Sequence, residues 1–115
     1  MNSINITGRM TKDAELRQST SGISMASFSI AVDKRTKNAE GKREADFFRC
    51  VAFRQPAEFA ANYLGKGRLV AISGNLQQRT WEKDGEKKES IEIVVNNIEG
   101  LDKPKEQTES FEEFE

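Results

Sequence analysis

Phe47, Arg49, Val51 and Phe53 stand two residues apart. Side chains at that spacing share one face of a β-strand, so this short segment puts two aromatic rings and a guanidinium on one surface. Phe48, Cys50 and Ala52 make the opposite face apolar as well. A small domain has one core to offer, and one of the two faces must therefore look outward carrying large apolar side chains. Flat rings interleaved with arginine suit a nucleic acid strand, whose bases stack on the rings while the cations neutralise its phosphates. Trp81, with Arg79 two residues before it, repeats the arrangement. The same residues admit other readings. The rings could pack in the fold, lie across a subunit interface or dock another protein of a larger assembly, because an exposed apolar patch marks contacts of each kind, and the strand they stack could be single-stranded RNA. Trp81 could pack across its own hairpin, although its neighbours Arg79, Glu82 and Lys83 favour exposure. Val51 is assigned to packing.

The rest of the chain offers little to catalysis. Cys50 falls mid-strand, facing away from Arg49, and the chain has no histidine to serve as its base, so it reads as a small buried hydrophobe. One thiol and no histidine leave the usual zinc ligand sets out of reach and allow no intrachain disulfide. The carboxylates lie in turns or near the C-terminus with no visible pairing in a cleft. No enzyme, no metal and no cofactor is expected.

At 115 residues with 36% hydrophobic content, the chain can build one modest core. No apolar run approaches a membrane span, and Met1-Asn2-Ser3-Ile4 opens no secretory leader, so a cytoplasmic location is expected. The net charge of −1 conceals a division: residues 1–101 hold 16 Lys and Arg against 13 Asp and Glu, whereas residues 102–115 hold 2 against 6. Phosphate binding follows local charge, so the balance of the whole chain does not argue against a nucleic acid ligand.

The elements that must position these residues can be followed along the chain. Ile4, Ile6, Gly8 and Met10 alternate with polar residues as a first strand with one buried side, followed by a short Glu15-Leu16-Arg17 segment. After the turn residues Ser19 to Gly22, Ala26, Phe28, Ile30 and Val32 mark a second strand. Asp33 to Asp46 reads as a long polar hairpin loop carrying Lys34, Arg35, Lys37, Lys42 and Arg43, with Gly41 near its tip; its cations are candidates for phosphate contact or for a plain solvated hairpin. Phe47 to Phe53 is the third strand. Gln55-Pro56 opens a short helix through Phe59, Ala60, Tyr63 and Leu64, which stops before Gly65. Arg68 to Leu76 is a fourth strand with Gly74 as a bulge or corner, and Ile91, Ile93 and Val95 form a fifth beyond an Asp84-Gly85 turn. Strand, strand, strand, helix, strand, strand is the order of an all-β, five-stranded Greek-key barrel with one helix between its third and fourth strands, the OB-fold. Residues 1–101 are assigned to this domain. Residues 102–115 are read as a disordered acidic tail, too poor in apolar residues to offset the entropy of ordering. In that tail Phe111, Glu112, Glu113, Phe114 and Glu115 look like a docking motif for a basic partner surface; a solubilising end, or a competitor for the basic groove, are the other readings.

Five segments taken in order, Ile6-Thr7-Gly8-Arg9, Asp13-Ala14-Glu15-Leu16-Arg17, Ala45 to Phe53, Asn62-Tyr63-Leu64-Gly65-Lys66-Gly67 and Gly74-Asn75-Leu76-Gln77, resemble the bacterial and phage single-stranded DNA-binding protein family. The resemblance runs from about Asn2 to Leu101. It implies an OB-fold that binds single-stranded DNA with little sequence preference, usually as a homotetramer, in replication, recombination and repair, with recruitment of other replication or recombination proteins through the acidic tail. It matches Phe47, Phe53 and Trp81 to base-stacking positions, and Arg17, Arg49, Lys66 and Arg79 to basic positions along the DNA path. A stacking position that is usually aromatic, in the loop between the second and third strands, is Thr36 here, so one platform is missing. The tail also departs from the family: it closes in Phe-Glu with barely any linker, where relatives commonly have a long linker and an acidic tip ending in Pro-Phe.

Overall fold

The structure, a computed structural model, describes residues 1–102. Six strands and one helix follow in the order β1 (Ile4–Met10), β2 (Glu15–Gln18), β3 (Ser24–Lys37), β4 (Arg43–Phe53), α1 (Gln55–Tyr63), β5 (Leu69–Lys83) and β6 (Glu86–Gly100). Neighbours run β1-β5-β6-β4-β3-β2, and a further pairing of β1 with β3 joins the two sides. Five strands thus close into a barrel, with α1 between the third and fourth of them, which is the expected OB-fold.

Alternation decides what fills the barrel. Ala26, Phe28, Ile30, Cys50, Ala52, Val70, Ile72, Ile93 and Val95 occupy every second position of their strands and are buried. Pro56 stands at the start of α1, where a missing N–H costs nothing, and the helix turns Ala57 and Ala60 onto the core, with Leu64 just beyond its end. Phe59 and Tyr63, on its other side, remain exposed as a tilted ring pair 5.4 Å apart.

Three expectations need correction. The short segment before the second predicted strand is itself a strand: β2 adds to the β3 edge over Glu15–Gln18, because β3 runs past the end of β1 and leaves that edge free. The long polar loop is mostly strand as well. β3 and β4 continue as a two-stranded arm to a short turn, where the Asn38 side-chain oxygen accepts from the Glu40 and Lys42 N–H groups at 3.0 Å and Gly41 takes φ +82°. Lys34, Arg35, Thr36 and Lys37 therefore sit on a strand and not in a loop. Likewise β5 and β6 extend to the Asp84-Gly85 turn, both residues having positive φ as the tightest hairpins require. Ile91, which begins the predicted fifth strand, is 66% exposed because β6 has left the barrel there.

Gly74 lies where β6 carries one extra residue, Asn96, against β5. A Cβ at that position would run into the Val94 carbonyl oxygen. Beyond β6, Asp102 is fastened to the barrel: its carboxylate accepts from Arg68 Nε at 2.9 Å and from the Leu69 N–H at 3.1 Å, and it faces Arg9 at 3.3 Å. The predicted docking residues Phe111, Glu112, Glu113, Phe114 and Glu115 lie outside the described residues.

Candidate nucleic-acid interface

Strand parity places Phe47, Arg49, Val51 and Phe53 on the outer face of β4, with Phe48, Cys50 and Ala52 turned inward. Partners in register share a face. Ala31, Ser29, Ser27 and Met25 of β3 lie beside the four outward residues of β4, and Arg17 of β2 lies beside Met25. On the other flank, the parallel pairing of Val51 with Val94 brings Glu92 to the same face, and from there the β5 register adds Gln77, Arg79 and Trp81. One continuous outer surface thus crosses β2, β3, β4, β6 and β5.

On it lies a groove of about 320 Å3 with Arg17, Arg49, Arg79 and Phe53 among its lining residues and the buried Val51 beneath them. Phe53 is 42% exposed; Phe47 (67%) and Trp81 (40%) lie beyond the groove on the two arms. Phe47 and Phe53, six residues apart on one strand, are separated by about 20 Å, room for several nucleotides between platforms. Pairing of β4 with β6 is limited to Cys50–Ala52 and Ile93–Val95, so on the side of the turns the two hairpins are separate arms flanking the groove. The guanidinium carbon of Arg79 sits 5.6 Å from the Trp81 ring centroid, a cation–π contact that holds ring and charge together.

The remaining candidates are dispersed. Lys34 lies 3.7 Å from Glu44 and 3.6 Å from Asp46, and Asp46 pairs in register with Val32 on the face opposite Phe47. Arg35 and Lys37 are exposed further out on the same arm. Lys66 follows α1 in a loop tied to the β1–β2 connection, its backbone N–H donating to Asp13 Oδ1 at 2.8 Å. Neither Lys66 nor the three arm cations line the groove. Two carboxylates that the sequence reading passed over do line it: Glu15, 3.5 Å from Arg17, and Glu92, 3.7 Å from Arg49. Alternation already turned Glu92 outward, but its neighbour across a parallel pairing is not written in local sequence.

Two depressions elsewhere on the described residues lack this combination. One of about 310 Å3 on β1, β5 and β6 is lined by Asn5, Thr7, Ser73 and Glu99 among others, with neither ring nor cation. Another, of about 360 Å3 between α1 and β6, has Phe59 but no charge. Among the described residues no cluster of Cys, Asp and Glu is placed to hold a metal ion, and no helix is long and apolar enough to cross a membrane. Burial pushes the Cys50 thiol up to about 12, which keeps it protonated and unreactive.

A closed five-stranded barrel with one helix between its third and fourth strands, carrying an open, ring-bearing and cationic outer face, defines the class as an OB-fold. Residues 1–101 match the model of the single-strand binding protein family. Over 103 residues, 89% of this chain, it is 43% identical to single-stranded DNA-binding protein 3 of Listeria innocua serovar 6a and 44% identical to single-stranded DNA-binding protein 2 of Streptococcus pyogenes serotype M18. It is 47% identical to single-stranded DNA-binding protein 3 of Streptococcus agalactiae serotype V, covering 75% of that protein. The chain spans 64% and 63% of the length of the first two. It belongs to the single-strand binding protein family.

Proposed function

We propose that the chain binds single-stranded DNA without catalysis, stacking bases on Phe47, Phe53 and Trp81 while Arg17, Arg49 and Arg79 follow the phosphates. The observation that carries this reading is the coincidence, on one outward surface, of three exposed rings with a groove walled by three arginines. A base must lie flat on a ring to gain the ~1 to 3 kcal/mol that each stack contributes, and paired bases in a duplex cannot offer that face. Lys34, Arg35, Lys37 and Lys66 serve as outlying attractive charge, with Lys34 weakened by its two carboxylate neighbours.

Family membership supports a role in protecting unpaired DNA during replication, recombination and repair, in the cytoplasm, and assembly into a homotetramer. Two features of the barrel favour self-association: β1 pairs with β3 only at Arg9 and Met10, leaving the Ile4–Gly8 edge open, and Leu76 and Ile91 expose apolar surface on the β5–β6 arm. Titration with oligothymidine, read by Trp81 emission, tests the binding reading against duplex of the same length. Strong quenching by the single strand and little response to the duplex is expected; equal affinity for both overturns it.

A further inference from the structure

The groove that the cations wall also contains negative charge, and its two carboxylates are not equivalent. Glu15 is 55% exposed and faces Arg17 along the edge strand β2, so either side chain can swing into solvent. Glu92 is only 12% exposed and lies between β4 and β5, opposite Gln77, one residue from the Ile93–Cys50 pairing. Its own pairing with Gln77 on one side, and the pairing of the next residue with Cys50 on the other, fix its direction. Its Oε2 is 3.7 Å from Arg49 Nε, the inner nitrogen of the guanidinium.

We propose that Glu92 is a built-in competitor of the bound strand. In the free protein its carboxylate neutralises Arg49; when a phosphate approaches Arg49, that carboxylate stays within a few ångströms and repels it. The inference rests on the groove being the path of the strand, and it adds that the path is tuned below its full attraction. A phosphate gains more at Arg79, which is held by a ring and, among the described residues, faces no paired carboxylate, or at Arg17, whose partner can move aside. Neutral base edges, in contrast, can lie over Glu92 without that repulsion. The fixed carboxylate therefore favours a strand oriented with bases over Glu92 and phosphates toward Arg17 and Arg79, and it holds affinity at a level from which the strand can be released.

Glu92→Gln keeps the shape and removes the charge. Two like charges about 4 Å apart in a water-like medium repel enough that the variant binds oligothymidine about fivefold more tightly at low salt. The gain shrinks as salt rises, because screening weakens the repulsion being removed. It disappears in an Arg49→Gln background, where no phosphate is drawn to that point. Glu99→Gln makes the same change in net charge on the same strand, outside the groove, and leaves affinity near that of the parent. Thermal unfolding monitors the fold, and Glu92→Thr, uncharged and suited to a strand, provides the same comparison should glutamine not be accommodated. Unchanged or weaker binding by these variants overturns the proposal, as does equal tightening by Glu99→Gln. If Arg79→Gln and Trp81→Ala also leave binding untouched, the groove itself is not the path and both readings fall; if those two weaken binding while Glu92→Gln does not strengthen it, only the competitor role is lost.

Discussion

Trp81 is the residue at which the binding reading is most exposed to test. Its ring projects from the unsupported part of the β5–β6 arm and touches the Arg79 guanidinium, so its removal disturbs no core packing. Trp81→Ala should leave thermal stability close to the parent and weaken single-strand binding, read by the anisotropy of a dye-labelled oligonucleotide, by roughly 1 to 3 kcal/mol, equally for oligothymidine and mixed sequences, because a stack does not read base identity. A loss confined to one sequence would assign the ring a different task. Cys50 gives a contrasting residue-scale expectation. With its thiol pushed up to about 12 by burial, it should resist alkylation at neutral pH in the folded protein and react once denaturant exposes it. Fast labelling under native conditions would mean that β4 opens readily.

The elements show where periodicity speaks and where it is silent. Inside the barrel one face of each strand is buried, so apolar and polar residues alternate, and β1, the first half of β3, β4 from Phe47 onward and the start of β5 are legible from sequence. The arms have no buried face: Asp33 to Lys37 and Gln77 to Lys83 are exposed on both sides, so nothing in their composition separates a solvated strand from a loop. Gly74 was legible as a bend because glycine in a strand marks close backbone approach. Gly74→Ala should lower stability by about 1 to 3 kcal/mol, as overpacking against the Val94 carbonyl demands, and thermal or urea unfolding measures it. The end of the barrel carries a pH dependence. Burial pushes the Asp102 carboxyl up, but hydrogen bonds from Arg68 and the Leu69 N–H, with the charge of Arg68, outweigh it and hold the carboxyl below its ordinary value of 3.8. A group whose pKa is depressed by folding stabilises the fold above its unfolded value, and that contribution is lost as pH falls through the folded one. Asp102→Asn should therefore lower the Tm at neutral pH, and the gap between variant and parent should close as the pH drops below the ordinary carboxylate range. A gap independent of pH would show that the hydrogen bonds matter and the charge does not.

At the scale of the whole molecule, charge is distributed so that a chain of nearly neutral balance keeps a cationic groove. Sequence alone located the cations but not their grouping: Arg17, Arg49 and Arg79 come from three strands, and only the run of pairings from β2 through β3 and β4, across the parallel contact of β4 with β6, to β5 puts them on one surface. Lys34, equally visible in sequence, is turned to the other face by the register of the β3–β4 arm. The grouping sets how binding should respond to salt. Each phosphate neutralised on a single strand contributes about −0.7 to the slope of log affinity against log salt, so three groove arginines give a slope of about −2 per chain. Removing one, as in Arg17→Gln or Arg79→Gln, should flatten it by about 0.7, whereas Lys34→Gln should change it far less. A protein-docking face held mainly by apolar contact would show little slope with any of these variants. Light scattering on the same samples gives the number of chains, and with it the number of such grooves that one strand can visit.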